Sequence, residues 1–437
     1  MSRILLYITV FSPFVRWGTT YDHGDDQVRR ALVHFALQKL LCGTPRKKLS
    51  EAQTHAVLSQ RLPLDINSKV YVPLPSDQVE KEQEQISNHM RVCMSIGDGI
   101  ETIRGVAASE PILAEAAVLL MSDNRGFHLA DALTEVLTGF GINAGDRAEL
   151  LVSAFFVWAR DKTISAKLQP NFTGQLSRYF SVTELFSSLF SKPTFASMSG
   201  QMPSLSHTES TPQTFGQVFG NAWMHFSHFI KPHERRVLAR PYLLAFMARG
   251  AAAVGANGQP GFDAVYPFLY GTLDLNVDKV GFVIVQVKKN DASEAAQNQI
   301  FKKMDPFACG LLNLEDRKYS IPIIRVVFAL CTNKVPGVAH KVYTSPVEGA
   351  SYLGDDGQPW FTTYDFWCLG ISGEVLQPVK EAPERWAALA DKADSWRTFY
   401  NNSLDPSVLR SQTPGSGLDP SHFDSWSAPI RGFETFL

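Results

Sequence analysis

Residues Val280 to Lys288 read VGFVIVQVK, a β-branched apolar run that stops at Gln286 and Lys288. Such residues fit a pleated surface. A run this short with polar bounds predicts a buried strand rather than a helix. Side chains alternate along a strand, so Gln286 and Lys288 share one face and Val287 takes the other. Upstream, Phe262 to Tyr270 reads as a second strand behind the turn cluster Asn257-Gly258-Gln259-Pro260-Gly261. Ala251 to Ala256 is a short apolar run, and Phe215 to Ile230 and Arg235 to Arg249 have helical spacing. Downstream, Ala292 to Lys303 predicts a helix and Ile321 to Leu330 another buried strand. The order helix, strand, strand, strand, helix, strand predicts an α/β (α+β) core around a central mixed sheet.

Further out, the first half is helical by pattern. Asp25 to Leu41, Gln78 to Met94, Pro111 to Met121, His128 to Phe140 and Ala144 to Arg160 carry apolar residues at helix spacing. Residues 1–190 are therefore expected to be a helical region. Residues 191–214 are rich in Ser, Thr, Pro and Gly and nearly uncharged, the composition of a linker or long loop. Residues 215–335 hold the core, and 336–437 form an extension expected to pack on it. That extension should add a strand near Tyr364 to Ile371 and a helix from Pro383 to Tyr400. Its tryptophans, Trp360, Trp367, Trp386, Trp396 and Trp426, should cover the sheet.

Asp263 lies on one predicted strand, and Gln286-Val287-Lys288 ends the next. If the strands are neighbours, Asp263 can approach both Gln286 and Lys288. A carboxylate, an amide oxygen and a backbone carbonyl are hard ligands suited to Mg²⁺ or Mn²⁺. A lysine beside them can orient a water and stabilise charge on a phosphate. Asp…Gln-x-Lys in this element order resembles the PD-(D/E)XK nuclease superfamily and its restriction-endonuclease-like core. The resemblance covers residues 215–335, and the Gln variant is that of Mrr-type restriction endonucleases. It implies Asp263, Gln286 and Lys288 as catalytic residues, with Asp263, Gln286 and the Val287 carbonyl on the metal. Glu234 would be the optional acidic residue of the first helix, and Gln297 a substrate contact. The block from Ala248-Arg249-Gly250 to Lys288 is also similar to that of uncharacterised fungal proteins. The plainer reading is a solvated strand end, with Lys288-Lys289 exposed and Asp263 as a turn residue.

Charge separates the core from the rest. The whole chain of 437 residues carries a net charge of −2, whereas residues 215–335 hold 14 Lys+Arg against 9 Asp+Glu. A basic core suits a polyanion. Arg235, Arg236, Lys289, Lys302 and Lys303, with Gln297, are the expected nucleic-acid contacts, with DNA as the expected partner. Five scattered cysteines without a C-x-x-C pair argue against a zinc site and for an intracellular protein. Ile4 to Val15 is apolar but lacks a small-residue cleavage site, and no ~18-residue apolar run follows, so no membrane partner is expected. Two short sequons, Asn171 to Thr173 and Asn401 to Ser403, match by chance often enough to carry little weight.

His225, His228 and His233 form H-x-x-H-x-x-x-x-H on an expected helix; packed core histidines explain them better than a metal site. Gly255, Gly258 and Gly261 suit a tight hairpin rather than a dinucleotide loop. The expected activity is metal-dependent hydrolysis of phosphodiesters. The alternative is a non-catalytic scaffold binding nucleic acid or protein through a decayed nuclease fold, which the missing charge at Gln286 favours.

Overall fold

A computed structural model describes residues 24–43, 48–62, 64, 76–96, 103–107, 111–122, 127–137, 144–167, 179–206, 213–232, 235–255, 259–313, 316, 319–332, 334–343 and 360–391. The described residues open with helices α1 (Gly24–Leu40), α2 (Glu51–Arg61) and α3 (Ser76–Asn88), then a hairpin of β1 (Arg91–Ile96) and β2 (Ile103–Ala107). Helices α4 (Pro111–Ser122), α5 (Leu129–Leu137) and α6 (Ala144–Lys167) follow. Next come β3 (Phe180–Ser181), α7 (Val182–Leu189), α8 (Lys192–Ser199), α9 (Phe215–Phe219), β4 (Ala222–Met224) and β5 (His228–Ile230). The core then runs α10 (Arg240–Ala248), β6 (Ala251–Val254), β7 (Ala264–Tyr270), β8 (Val280–Asn290), α11 (Glu294–Lys303) and β9 (Ile323–Cys331). The last elements are β10 (Gly337–His340), β11 (Thr363–Leu369), α12 (Gln377–Glu381) and α13 (Pro383–Asp391).

The expected order of helix, three strands, helix and strand is present from α10 to β9. These strands belong to a nine-stranded mixed sheet whose main path runs β10-β11-β9-β8-β7-β4-β3, with β6 on β7 and β5 on β6. β7 is antiparallel to both β6 and β8, while β8, β9 and β11 run parallel. Parallel strands covered on both faces read as continuous apolar runs. β9 is buried along almost its whole length, and its β-branched sequence IIRVVFALC follows that rule apart from Arg325.

Aromatic side chains glue the helices to the sheet. On one face Phe156 of α6 stacks on Tyr266 of β7, with ring centroids 4.2 Å apart. Phe190, beyond α7, stacks on Phe328 of β9, and Phe215 of α9 meets Tyr364 and Phe366 of β11. On the opposite face Phe301 of α11 meets Trp367 of β11 edge-on. Arg325 reinforces this second layer. Its guanidinium holds Asp365 of β11 and donates to the Phe301 carbonyl at the end of α11.

Three expectations change. Residues 215–230 form not one helix but the short α9 and two three-residue strands, because β4 and β5 take their partners from β3, β7 and β6. Tertiary pairing overrides helix spacing there. Residues 78–94 leave the helix at Asn88; Met90 takes a positive φ, and Arg91 opens a strand, its guanidinium on Glu82 and the Gly105 carbonyl. Residues 191–214 are not a bare linker. Met198 buries the inner side of α8, Ser204 N–H donates to the Thr363 carbonyl, and Leu205 bridges Thr363. One hydrophobic core runs from Leu58 through the sheet to Leu389, across the expected boundary. A second, smaller core joins α1, α2 and α4.

Pro383 to Tyr400 is helical to Asp391, and Trp367 and Trp386 are buried as expected. The N-terminal apolar run, both sequons, Trp396 and Trp426 lie outside the described residues. No disulfide joins the five cysteines. Among the described residues no helix is long and apolar enough to cross a membrane.

Candidate active site

Asp263 sits where the β7–β8 ladder ends. Ala264 pairs with Val285, and the Asp263 N–H also donates to the Val285 carbonyl, at 2.9 Å. Two residues of one strand thus face one of the other, the count of a β-bulge. Bulges re-aim side chains, and here Asp263 Oδ2 accepts the Val287 N–H at 2.5 Å. The carboxylate therefore lies against the middle peptide of Gln286-Val287-Lys288. On its other side the Asp263 carbonyl accepts the Gly255 N–H at 2.8 Å, beyond the end of β6.

Val287 is buried, and Gln286 and Lys288 are half-buried on the opposite face. In register, Gln286 lies beside Val327, and Val327 beside Trp367. Lys288 lies beside Ala329. Because Phe301 meets Trp367, this is the face that α11 covers. Among the described residues neither the Gln286 amide nor the Lys288 ammonium has a hydrogen bond or ion pair within the chain. A residue's N–H and C=O turn to the same side of its strand, so the Val287 carbonyl faces the edge occupied by the Asp263 carboxylate. The structure thus sets the Asp263 carboxylate against the Val287 peptide, with Gln286 and Lys288 as the flanking residues of β8.

The expected outer contacts divide. Gln297 is buried, and its Nε2 donates to the Ala292 carbonyl at 2.9 Å, so it braces the turn into α11 instead of offering itself to a ligand. Arg236 and Lys303 are exposed and Lys302 is half-buried. The side chains of Arg235 and Lys289, and the whole of His233 and Glu234, lie outside the described residues. His225 and His228 share no helix face. His228 opens β5, its Nδ1 is 3.1 Å from Ser227 Oγ, and burial, reinforced by Arg249, pushes its pKa down to about 3. A neutral core histidine is the reading that fits.

Sequence reasoning missed Asp291, three residues past Lys288. Its Oδ1 accepts the Trp367 indole N–H at 3.1 Å, and its Oδ2 pairs with Lys334 Nζ at 2.5 Å. Burial works against its charge, but Lys334, the Ala292 N–H and the Trp367 indole outweigh it and hold the carboxyl below the ordinary range. Its partners lie 43 and 76 positions away, so no local pattern announces it.

Gly261 sets the approach of this site to α11. It has a φ of +87°, and a Cβ there would come within 2.1 Å of the Lys303 carbonyl oxygen. Only glycine combines that backbone with that closeness. We expect Gly261→Ala to lower stability by about 1–3 kcal/mol, the usual cost of forcing atoms into a packed interior. Chemical denaturation measures this. An unchanged midpoint would mean that the loop and α11 separate freely.

Comparison of the chain with protein-family models, with curated proteins and with solved structures finds no match. Among the described residues no three His, Cys, Asp or Glu side chains lie close enough to hold a metal ion between them. The donors expected from the sequence would be of another kind, the Asp263 carboxylate, the Gln286 amide oxygen and the Val287 carbonyl. Mg²⁺ keeps several waters and takes one or two protein carboxylates plus substrate phosphates. The residues therefore fit such a cation, held weakly.

Proposed function

We propose that the chain is a metal-dependent nuclease that hydrolyses phosphodiester bonds, with DNA as substrate. The observation that carries the reading is the Asp263 carboxylate lodged against the Gln286-Val287-Lys288 peptide, where the Gln286 amide and the Lys288 ammonium have no hydrogen bond or ion pair among the described residues. Polar groups at the end of an apolar strand are costly to leave without a partner unless water or a ligand serves them. Asp263, Gln286 and the Val287 carbonyl would hold Mg²⁺ or Mn²⁺. When bound, such an ion neutralises phosphate charge and lowers the pKa of a coordinated water. Lys288 would place its positive charge at the scissile phosphate and orient the attacking water. The order of elements from α10 to β9 also supports the resemblance to PD-(D/E)XK nucleases.

The second reading is a non-catalytic binding protein that keeps the fold. Gln286 favours it, because an amide gives a cation less attraction than a carboxylate. Incubating wild-type protein with plasmid and single-stranded DNA in Mg²⁺, Mn²⁺ or chelator separates the two. Nicking or degradation in metal and none in chelator is expected. A folded sample inert on both substrates in both metals would move the assignment to the binding protein.

A further inference from the structure

The C-terminal ends of parallel strands are where open α/β sheets bind ligands. Lys288 and Lys334 both reach this end of the sheet. Lys288 stands beside Ala329 on β9, and two positions further Asn290 pairs with Cys331. Lys334 leaves β9 three residues after Cys331, and its ammonium turns back to Asp291, just past the end of β8. Asp291 touches Trp367, which lies on the same face as Gln286 and Lys288. The Lys334 ammonium therefore sits at the mouth of the proposed site, one strand over from Lys288.

The two partners differ in exposure. Lys334 is 64% exposed at its side chain and Asp291 only 11%. Asp291 is fixed, held by the indole and by Gln297. Lys334 is a long, exposed side chain on the loop after β9, so its ammonium can leave Asp291 for another anion without unburying itself. A fixed anion that holds an exposed cation at the mouth of a proposed phosphate site has the chemistry of a stand-in for phosphate.

The geometry points to Lys334 as a substrate-phosphate contact and to Asp291 as the anion that occupies it until a nucleic-acid phosphate takes its place. The inference rests on the phosphodiester reading of the site. It makes Asp291 a competitor of the substrate, so removing its charge strengthens binding and removing Lys334 weakens it. A purely structural latch behaves differently, because breaking it from either side disturbs the same loop and weakens binding both ways.

The test is the affinity of the full chain for a short DNA duplex in chelator, by fluorescence anisotropy at several salt concentrations. Lys334→Ala should weaken binding about tenfold and reduce the slope of log affinity against log salt by about one. Asp291→Asn keeps an acceptor for the indole and should tighten binding a few-fold. The double variant should behave as Lys334→Ala. If both single variants weaken binding, if neither changes it, or if wild type does not bind, the inference fails. Cleavage measured alongside separates it from the wider reading. Opposite-signed effects without cutting would sustain the phosphate contact and remove the nuclease, while cutting without them would do the reverse.

Discussion

Arg61→Ala should lower the free energy of unfolding by about 3–5 kcal/mol, the loss typical of a buried ion pair broken from one side. Arg61 ends α2 and is fully buried. Its Nη1 and Nη2 take Asp161 Oδ2 and Oδ1 of α6 at 2.5 and 2.9 Å, and its Nε donates to the Ser227 carbonyl ahead of β5 at 2.9 Å. One guanidinium thus joins two N-terminal helices to the edge of the sheet. Alanine would leave the Ser227 carbonyl without that donor and Asp161 with Arg160 as its remaining cation among the described residues. Burial of the remaining groups then works against the fold. Arg61→Lys keeps the charge but not the fork, so it should recover only part of the loss. Guanidinium titration followed by circular dichroism gives the number. Because one core runs from α2 to α13, a single transition is expected. Two separate transitions, with only the first moved by the substitution, would sink the account of one continuous core.

Legibility in the sequence followed how local each interaction is. β7, β8, α11 and β9 were readable because a β-branched run, a turn cluster and a capped helix announce themselves within ten residues. In the structure Ser293 caps α11 and Lys302 and Lys303 lie in its last turn. β4 and β5 were not readable. Three-residue strands in an aromatic stretch have no period of their own, and their hydrogen bonds come from residues far along the chain. Helix α8 hid in a Ser- and Thr-rich stretch because Phe195 and Met198 are too few to set a period, yet enough to pack. Buried charge was the hardest to see. Hydropathy assigns Arg61, Arg160 and Arg325 to the surface, and only the fold supplies the carboxylates and carbonyls that let them be buried.

The site was legible in its residues and not in its geometry. Strand alternation places Gln286 and Lys288 on one face, and the resemblance to PD-(D/E)XK nucleases singles them out together with Asp263. The bulge that turns the carboxylate onto the Val287 N–H depends on two strands at once, and alternation within either could not give it. The contacts of residues 191–214, expected to be a linker or long loop, were illegible for the same reason. Composition marks 191–214 as a break, while Ser204 and Leu205 are fixed by Thr363, more than 150 positions away.

Lys288→Ala should reduce metal-dependent DNA cleavage about 10²–10³-fold, the range for removing one positioned charge-stabilising group from an active site. The fold should barely register the change. Lys288 is half-buried and has no hydrogen bond or ion pair among the described residues, so its loss should stay within about 0.5 kcal/mol, as for most surface substitutions. This contrast with Arg61→Ala separates chemistry from stability. Metal dependence separates Lys288 from Asp263. A lysine that acts on phosphate and water does not hold the cation, so Lys288→Ala should lower the maximal rate and leave the metal concentration at half-rate where it was. Asp263→Asn removes the single carboxylate of the donor set and should raise that concentration. Gln286→Glu adds the charge the set lacks and should lower it. These shifts follow from oxygen ligands whose charge count sets affinity for a hard cation. If Lys288→Ala cuts as well as wild type, the activity does not belong to the end of β8, however well Asp263 is placed there. If cutting is lost but Gln286→Glu leaves the metal requirement unmoved, Lys288 keeps its role and Gln286 loses its place on the metal.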